Sequence, residues 1–140
     1  MSEEDKVKQV IVVRTRYPHP TKEGEFYKPR TGKLIAQGAH ACMSVFLNMN
    51  VSQDPRNMVI MIKDDVKEWV EGQFTKICVK VDSEEELLSV YQKAKDAGLP
   101  CSLIRDAGHT EFSEPTYTTV AVGPARSSKI DLITGDLQLY

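Results

Sequence analysis

Apolar residues fall along this 140-residue chain in short blocks that are typical of β-strands. Residues 7–15 are nearly continuous in Val and Ile, which predicts a central strand covered on both faces. Residues 75–81 alternate Ile and Val with polar residues, residues 101–105 are short and mostly apolar, and residues 116–122 are rich in Thr and Val. We therefore predict four strands. Residues 137–139 are either a further brief strand or an extended segment packed on the core.

Two segments with helical periodicity lie between the first two strands. Residues 31–46 predict a helix with Thr31 as its N-cap, and the spacing i, i+4, i+7 predicts a buried stripe of Ile35, Ala39, Cys42, Phe46 and Met49. Residues 58–73 predict a second helix that ends at Gly72, although residues 59–62 fit a strand equally well. The apolar seam of that helix is predicted to be Ile62, Val66, Trp69 and Val70, with Trp69 as a packing anchor.

The second half of the chain has clearer helix boundaries. Ser83 and Glu86 have the spacing of a capping box, which predicts a helix that stops at Gly98. Ser127 or Ser128 is predicted to cap a short helix over residues 129–133.

The order β-α-α-β-α-β-β-α predicts the α/β class, because helical crossovers usually return strands parallel. The expected architecture is a single-domain three-layer sandwich, a four-stranded mixed β-sheet with helices on both faces and an antiparallel last pair. We assign residues 7–140 to this domain and residues 1–6 to a flexible N-terminus. Residues 16–30 hold three prolines and read as a long loop, either an RNA-gripping element or a solvated insertion.

Charge adds one feature, since the net charge of −2 hides an uneven distribution. Residues 6–33 contain eight basic and two acidic residues, whereas residues 63–96 contain nine acids and six lysines. A basic surface for a polyanion is permitted but not established. The three cysteines are odd in number and widely spaced, which excludes a disulfide framework, lacks the spacing of a zinc site and favours core packing. The acidic start and the lack of a long apolar run favour a cytoplasmic protein.

One rim of the predicted sheet collects residues suited to chemistry. Lys33 opposes the dipole of its helix, so it is either a solvated lysine or, with the free N–H groups, a site for negative charge. Asp106 follows the third strand, and Lys33 and Asp106 are expected to face each other beyond the strand ends. Thr110 and Thr118 are placed nearby. The Asp106-Ala107-Gly108 segment also fits an ordinary turn.

Gln37 and His40 extend the same polar row along the helix. Gln37 both donates and accepts hydrogen bonds. His40 is a ligand, a base or a core histidine.

Taken together, these segments resemble the archaeal and eukaryotic-type peptidyl-tRNA hydrolases, the Pth2 family. Residues 32–41 (GKLIAQGAHA) are similar to its signature helix GKxxAQxxHA, and residues 104–110 (IRDAGHT) to its IRDAGRT element. Residues 116–124 (TYTTVAVGP) resemble its TxTxxAIGP strand, and residues 129–135 its C-terminal helix. The resemblance runs from about residue 8 to residue 139.

The resemblance implies hydrolysis of the ester between a peptide and the 3′ ribose of tRNA, without a metal or organic cofactor. The implied partner is peptidyl-tRNA, bound through its 3′ end and backbone phosphates, with no membrane and a possible homodimer. Asp106 would orient the water, directly or through Thr110 or Thr118, while Lys33 would polarise the carbonyl or hold the terminal phosphate. The implied catalytic residues are Lys33, Asp106, Thr110 and Thr118, and the implied substrate-binding residues are Arg14, Gln37, His40, Arg105 and His109.

The chain also departs from the family pattern. His109 replaces an Arg, which makes one positive charge titratable. The loop over residues 16–30 is longer than usual, and residues 48–62 look expanded. These differences leave two alternatives open: a non-catalytic module that binds RNA or a protein, and an unrelated small-molecule hydrolase.

Overall fold

The structure, a computed structural model, describes residues 5–108, 112 and 114–140. Its elements in chain order are β1 (Val7–Arg14), β2 (Tyr17–Pro18), β3 (Phe26–Tyr27), α1 (Thr31–Leu47), α2 (Asp64–Glu71), β4 (Lys76–Val81), α3 (Glu84–Asp96), β5 (Cys101–Asp106), β6 (Thr116–Arg126), α4 (Ser127–Thr134) and β7 (Gln138–Leu139). None of the helices in this described part of the chain is long and apolar enough to span a membrane.

The main sheet is mixed, as predicted, with the strand order β5-β6-β1-β4-β7. β1 and β4 run parallel, and the other neighbours are antiparallel. The predicted count of four strands is wrong, because the C-terminal tail forms β7 and pairs Leu139 with Val79 on the sheet edge. Two residues are too short for an alternation pattern, so the sequence left this tail undecided.

A small hairpin interrupts the predicted loop over residues 16–30. β2 and β3 pair antiparallel, with Tyr17 opposite Tyr27 and their ring centroids 5.9 Å apart. A directly opposed aromatic pair is a common stabilising contact in antiparallel strands. The prolines and charges around these short strands conceal the pairing in the sequence.

Helices cover both faces of the sheet, which confirms the three-layer arrangement. α3 and α4 pack over a core cluster that includes Val12, Leu87, Val120 and Ile130. α1 covers the other face over a cluster of Ala41, Val45, Ile104 and Ala121. α2 lies beside α1, and the rings of Phe46 and Trp69 stack with centroids 5.7 Å apart.

The predicted buried stripe of α1 is wrong at Ile35 and Ala39, whereas Phe46 and Met49 do pack against the core. Ile35 is 67% exposed and Ala39 is exposed, while the residues that face the sheet are Leu34, Gln37, Gly38, Ala41 and Val45. Gly and Ala are frequent in this helix, so hydrophobicity alone does not fix its rotation. The helix begins at Thr31, with Arg30 rather than Thr31 as its N-cap. Gly38 faces β1, where a Cβ would make an ordinary van der Waals contact with Ile11 Cγ2 at 3.6 Å.

The second predicted helix begins six residues later than expected. α2 starts at Asp64, where acidic residues favour the helix N-terminus. The preceding segment forms an isolated bridge from Ile60 to Asn50 instead of a helix. Val66 and Trp69 are buried as predicted, but Ile62 and Val70 are 39% and 46% exposed. Trp69 is fully buried, which confirms its role as a packing anchor, and its indole donates to the Thr75 carbonyl at 2.7 Å.

The caps of the last two helices follow local chemistry. The Ser83 hydroxyl accepts a hydrogen bond from the Glu86 amide at 3.1 Å, as the capping box predicts. In α4 the N-cap is Arg126, not Ser127 or Ser128. The Asp5 carboxylate accepts from the Ser128 amide at 2.9 Å instead.

The predicted boundary between a flexible N-terminus over residues 1–6 and the domain over residues 7–140 stays a prediction.

Gly123 occupies a position that excludes any side chain. Its φ is +99°, and a Cβ there would lie 2.6 Å from the Lys8 carbonyl oxygen in the backbone of β1. We expect Gly123→Ala to lower the free energy of unfolding by about 3 kcal/mol or more, because backbone strain and a steric clash add. Gly98→Ala is the matched control, since Gly98 has φ +70° with nothing within 4 Å.

Chemical denaturation of both variants separates the two causes. Gly98→Ala should cost only about 1 kcal/mol, the strain of a left-handed alanine. Equal losses in both variants would show that the close approach of Gly123 to β1 contributes nothing.

Candidate functional site

A buried ion pair joins α1 to the end of β5. Lys33 Nζ lies 2.6 Å from Asp106 Oδ2, and the two side chains are 14% and 6% exposed. Asp106 is the last residue of β5, and Lys33 lies in the first turn of α1. The carboxyl ends of β1 and β5 share this edge, so the expected meeting of Lys33 and Asp106 is confirmed.

Two further donors hold the Asp106 carboxylate. Gln37 Nε2 donates to Oδ2 at 3.1 Å, and the Gly108 amide donates to Oδ1 at 2.8 Å. The second bond is an Asx turn, so the turn and the site interpretations of this segment hold together. Gly108 has φ +90°, and a Cβ there would lie 2.9 Å from the Glu114 carbonyl carbon. The carboxylate is therefore fixed in direction.

A β-bulge brings Thr118 into the same network. Ile104 pairs with Thr119, but Arg105 pairs with Tyr117, so Thr118 has no partner on β5. Its hydroxyl donates to Gln37 Oε1 at 3.2 Å and accepts from the Thr119 hydroxyl at 3.2 Å. A chain of hydrogen bonds thus runs from β6 through Gln37 to Asp106.

Aromatic side chains form a wall beside the ion pair. Lys33 Nζ is 5.7 Å from the ring centroid of Phe112, and the Phe112 and Tyr17 rings are 4.7 Å apart. The Arg14 guanidinium lies over the other part of this wall, 4.3 Å from the Tyr17 centroid. Burial raises the pKa of the Tyr17 phenol; Arg14 opposes the shift, and Tyr27 and Asp106 add to it. The hydroxyl therefore stays protonated beside the site.

The structure brings together four of the predicted site residues: Lys33, Gln37, Asp106 and Thr118. Arg14 is in the aromatic wall beside them, with its guanidinium 4.3 Å from the Tyr17 ring centroid. Predicted catalytic Thr110 and predicted substrate-binding His109 lie outside the described residues.

Two predicted binding residues, His40 and Arg105, lie on the surface. His40 is exposed, so its interpretation as a core histidine is wrong. Arg105 is exposed too, with its guanidinium 5.8 Å from the Tyr117 ring centroid.

Sequence reasoning missed two residues of the wall. Tyr17 lies in the segment predicted as a loop, and Phe112 is an isolated aromatic between Asp106 and β6. Each is less than 6% exposed despite its irregular sequence surroundings. A large aromatic residue among turn residues was the available signal, and it has no periodicity to support it.

Other reactive groups do not extend this site. Cys42, Cys78 and Cys101 are half-buried rather than fully packed in the core. Burial raises the pKa of each thiol, which keeps it from the reactive thiolate form. Within residues 5–108, 112 and 114–140, no three His, Cys, Asp or Glu side chains are grouped so as to hold a metal ion.

Comparison with known proteins identifies the family of this chain. The family model "Peptidyl-tRNA hydrolase PTH2" matches residues 7–140. A peptidyl-tRNA hydrolase from Methanocaldococcus jannaschii is 47% identical over 77% of this chain and 86% of its own length. Those from Methanopyrus kandleri and Saccharolobus solfataricus are 41% and 38% identical over 94% and 95% of this chain, and 97% and 98% of their own lengths. The chain therefore belongs to the PTH2 family of peptidyl-tRNA hydrolases.

Proposed function

We propose that this protein hydrolyses the ester that joins a peptide to the 3′ ribose of tRNA. The observation that carries the proposal is the buried Lys33–Asp106 ion pair, at 2.6 Å, on the rim of the sheet. The membership of the chain in the PTH2 family supplies the substrate class. A fixed carboxylate beside an ammonium is suited to water activation and to stabilising an oxyanion.

The reaction requires one proton acceptor and one site for negative charge. Asp106 orients a water and takes its proton as the water oxygen attacks the ester carbonyl carbon. The Lys33 ammonium stabilises the resulting oxyanion. Collapse of the tetrahedral intermediate breaks the bond to the ribose 3′ oxygen, which receives the proton. The products are a peptide acid and a tRNA with a free 3′ hydroxyl.

Gln37 supports the proposed base instead of contacting the substrate. Gln37 is 7% exposed, and its amide is engaged by Thr118 on one side and Asp106 on the other. These contacts favour a positioning role for Gln37 and Thr118. The resemblance also implies that Asp106 could orient the water through Thr110 or Thr118. That alternative stays a prediction.

We propose that Arg and His side chains contact the parts of the tRNA beyond the reacting ester. His40 and Arg105 are exposed, so both are accessible to the tRNA backbone. Arg14 lies over the Tyr17 ring and would hold a phosphate near the 3′ end. His109 is proposed for the same task from its motif position. A cytoplasmic location and a homodimer belong to the same proposal.

A turnover assay on N-acetylaminoacyl-tRNA tests this function. We expect release of deacylated tRNA over many turnovers, with KM rising steeply as salt increases because phosphate contacts release counterions. Binding without release at any protein concentration would instead favour a non-catalytic RNA-binding module. Cleavage of simple esters with peptidyl-tRNA left intact would indicate a small-molecule hydrolase.

A further inference from the structure

A cleft lies on the side of the aromatic wall, formed by Tyr17 and Phe112, that faces away from the ion pair. Its volume is about 470 Å³, within the ~300–1,000 Å³ typical of small-ligand sites. The hairpin contributes one side through Tyr17, His19 and Tyr27, and Phe112 is shared with the Lys33–Asp106 site. A ligand in the cleft would thus be separated from Lys33 by a single ring.

Arg14 gives this cleft a buried positive charge. Its side chain lines the cleft and is 7% exposed. The guanidinium donates to the carbonyls of Arg16 and Tyr117 at 3.1 and 3.3 Å, and none of the described carboxylates forms a salt bridge with it. A buried charge without a counter-ion is costly, so an anionic ligand group would be stabilised here.

The rest of the lining suits a flat base with hydrogen-bond donors. The rings of Tyr27 and Phe112 supply planar surfaces, and Pro18, Pro20 and Pro115 add apolar surface beside them. Single-stranded bases commonly stack on aromatic rings. Glu84, at the start of α3, and Glu114 add carboxylates to the lining, and a carboxylate accepts from an exocyclic amine but repels a carbonyl oxygen. The His19 imidazole also lines the cleft, together with Tyr17 and Tyr27.

We propose that this cleft binds the 3′-terminal adenosine of tRNA, with Glu84 accepting from the adenine amine and Arg14 holding the adjacent phosphate. The inference rests on the proposed function, because the terminal nucleotide is the one that carries the ester. Its base must lie within one ribose of the reacting carbon, and the cleft is separated from Lys33 by one ring. The hairpin thereby acquires a role in substrate recognition.

The test measures binding of two trinucleotides to the full chain by isothermal titration calorimetry. The probes are cytidyl-cytidyl-adenosine and cytidyl-cytidyl-inosine, which differ in an amine replaced by a carbonyl. We expect the wild type to bind the adenosine probe about tenfold more tightly, in line with one base-edge contact. In Glu84→Gln this preference should fall to about twofold or less. Glu85→Gln is the matched control, because Glu85 is exposed in the same first turn and does not line the cleft.

Kinetics on the tRNA substrate provide a second readout. Glu84→Gln should raise KM several-fold and leave kcat unchanged, whereas Glu85→Gln should match the wild type. Equal binding of both probes to the wild type, or equal behaviour of the two variants, would overturn the adenosine assignment even with normal turnover. Absence of turnover in the wild type would instead refute the proposed function, so the two failures are distinguishable.

Discussion

Asp106→Asn is expected to reduce kcat for peptidyl-tRNA hydrolysis by about 10²–10⁴-fold, the usual contribution of a general base. Asparagine keeps the shape of the side chain but neither accepts the proton nor carries the charge opposite Lys33. Single-turnover rates measured by tRNA release report the chemical step directly. Stability should fall as well, because removing one partner of a buried ion pair costs about 3–5 kcal/mol.

Asp131→Asn is the matched control for this variant. Asp131 forms an ion pair with Lys8 at the same 2.6 Å distance, but its side chain is 52% exposed. A pair so exposed contributes about 1 kcal/mol or less, and turnover should be unaffected. An Asp106→Asn protein that is folded and cleaves at the wild-type rate would remove Asp106 from the mechanism.

Lys33→Met is expected to lower kcat by about 10²–10³-fold, the effect of removing one oxyanion-stabilising group. Methionine retains much of the apolar stem near Phe112, where the ammonium is 5.7 Å from the ring centroid. The loss should therefore come from the missing charge more than from packing. Comparison of kcat and KM separates the two proposed roles, since loss of a phosphate contact alone would raise KM.

Lys8→Met serves as the control, because Lys8 is similarly covered, at 15% exposure, in a pair remote from the rim. Circular dichroism and thermal unfolding of both variants establish that each is folded. A change confined to KM in Lys33→Met would assign Lys33 to the terminal phosphate. Unchanged kinetics would contradict both roles.

The sheet was predictable wherever strands were long and buried. Residues 7–15 and 75–81 pair as β1 and β4, and the last long pair is antiparallel as expected. The tail and the hairpin were not predictable, since two-residue strands owe their pairing to tertiary contacts such as Tyr17 against Tyr27. In α1, abundant Gly and Ala left the rotation undetermined, and the helix buries Gln37 where Ile35 was expected.

The core of the candidate site was predictable because strand ends concentrate at one edge. That rule places Asp106 at the rim toward which the segment before Lys33 leads, so the two residues were expected to face each other. The family motif indicated Thr118 as a site residue. Its contribution depends on a bulge between β5 and β6, which the periodicity of the sequence does not reveal. The positions of Phe112 and Arg14 depend on how the hairpin packs. The resemblance implied substrate binding by Gln37, whereas its burial and its hydrogen bond to Asp106 lead us to propose that it positions that carboxylate.

The proposed hydrolysis has a direct signature when the turnover assay is run in ¹⁸O-labelled water. Attack of water on the ester carbonyl predicts one ¹⁸O atom in the released peptide carboxylate, none in the tRNA, and a tRNA of full length. Mass spectrometry of both products reads the label and the length together. Release of shortened tRNA, or no labelled peptide at enzyme concentrations above the substrate, would contradict the assignment of this site to peptidyl-tRNA hydrolysis.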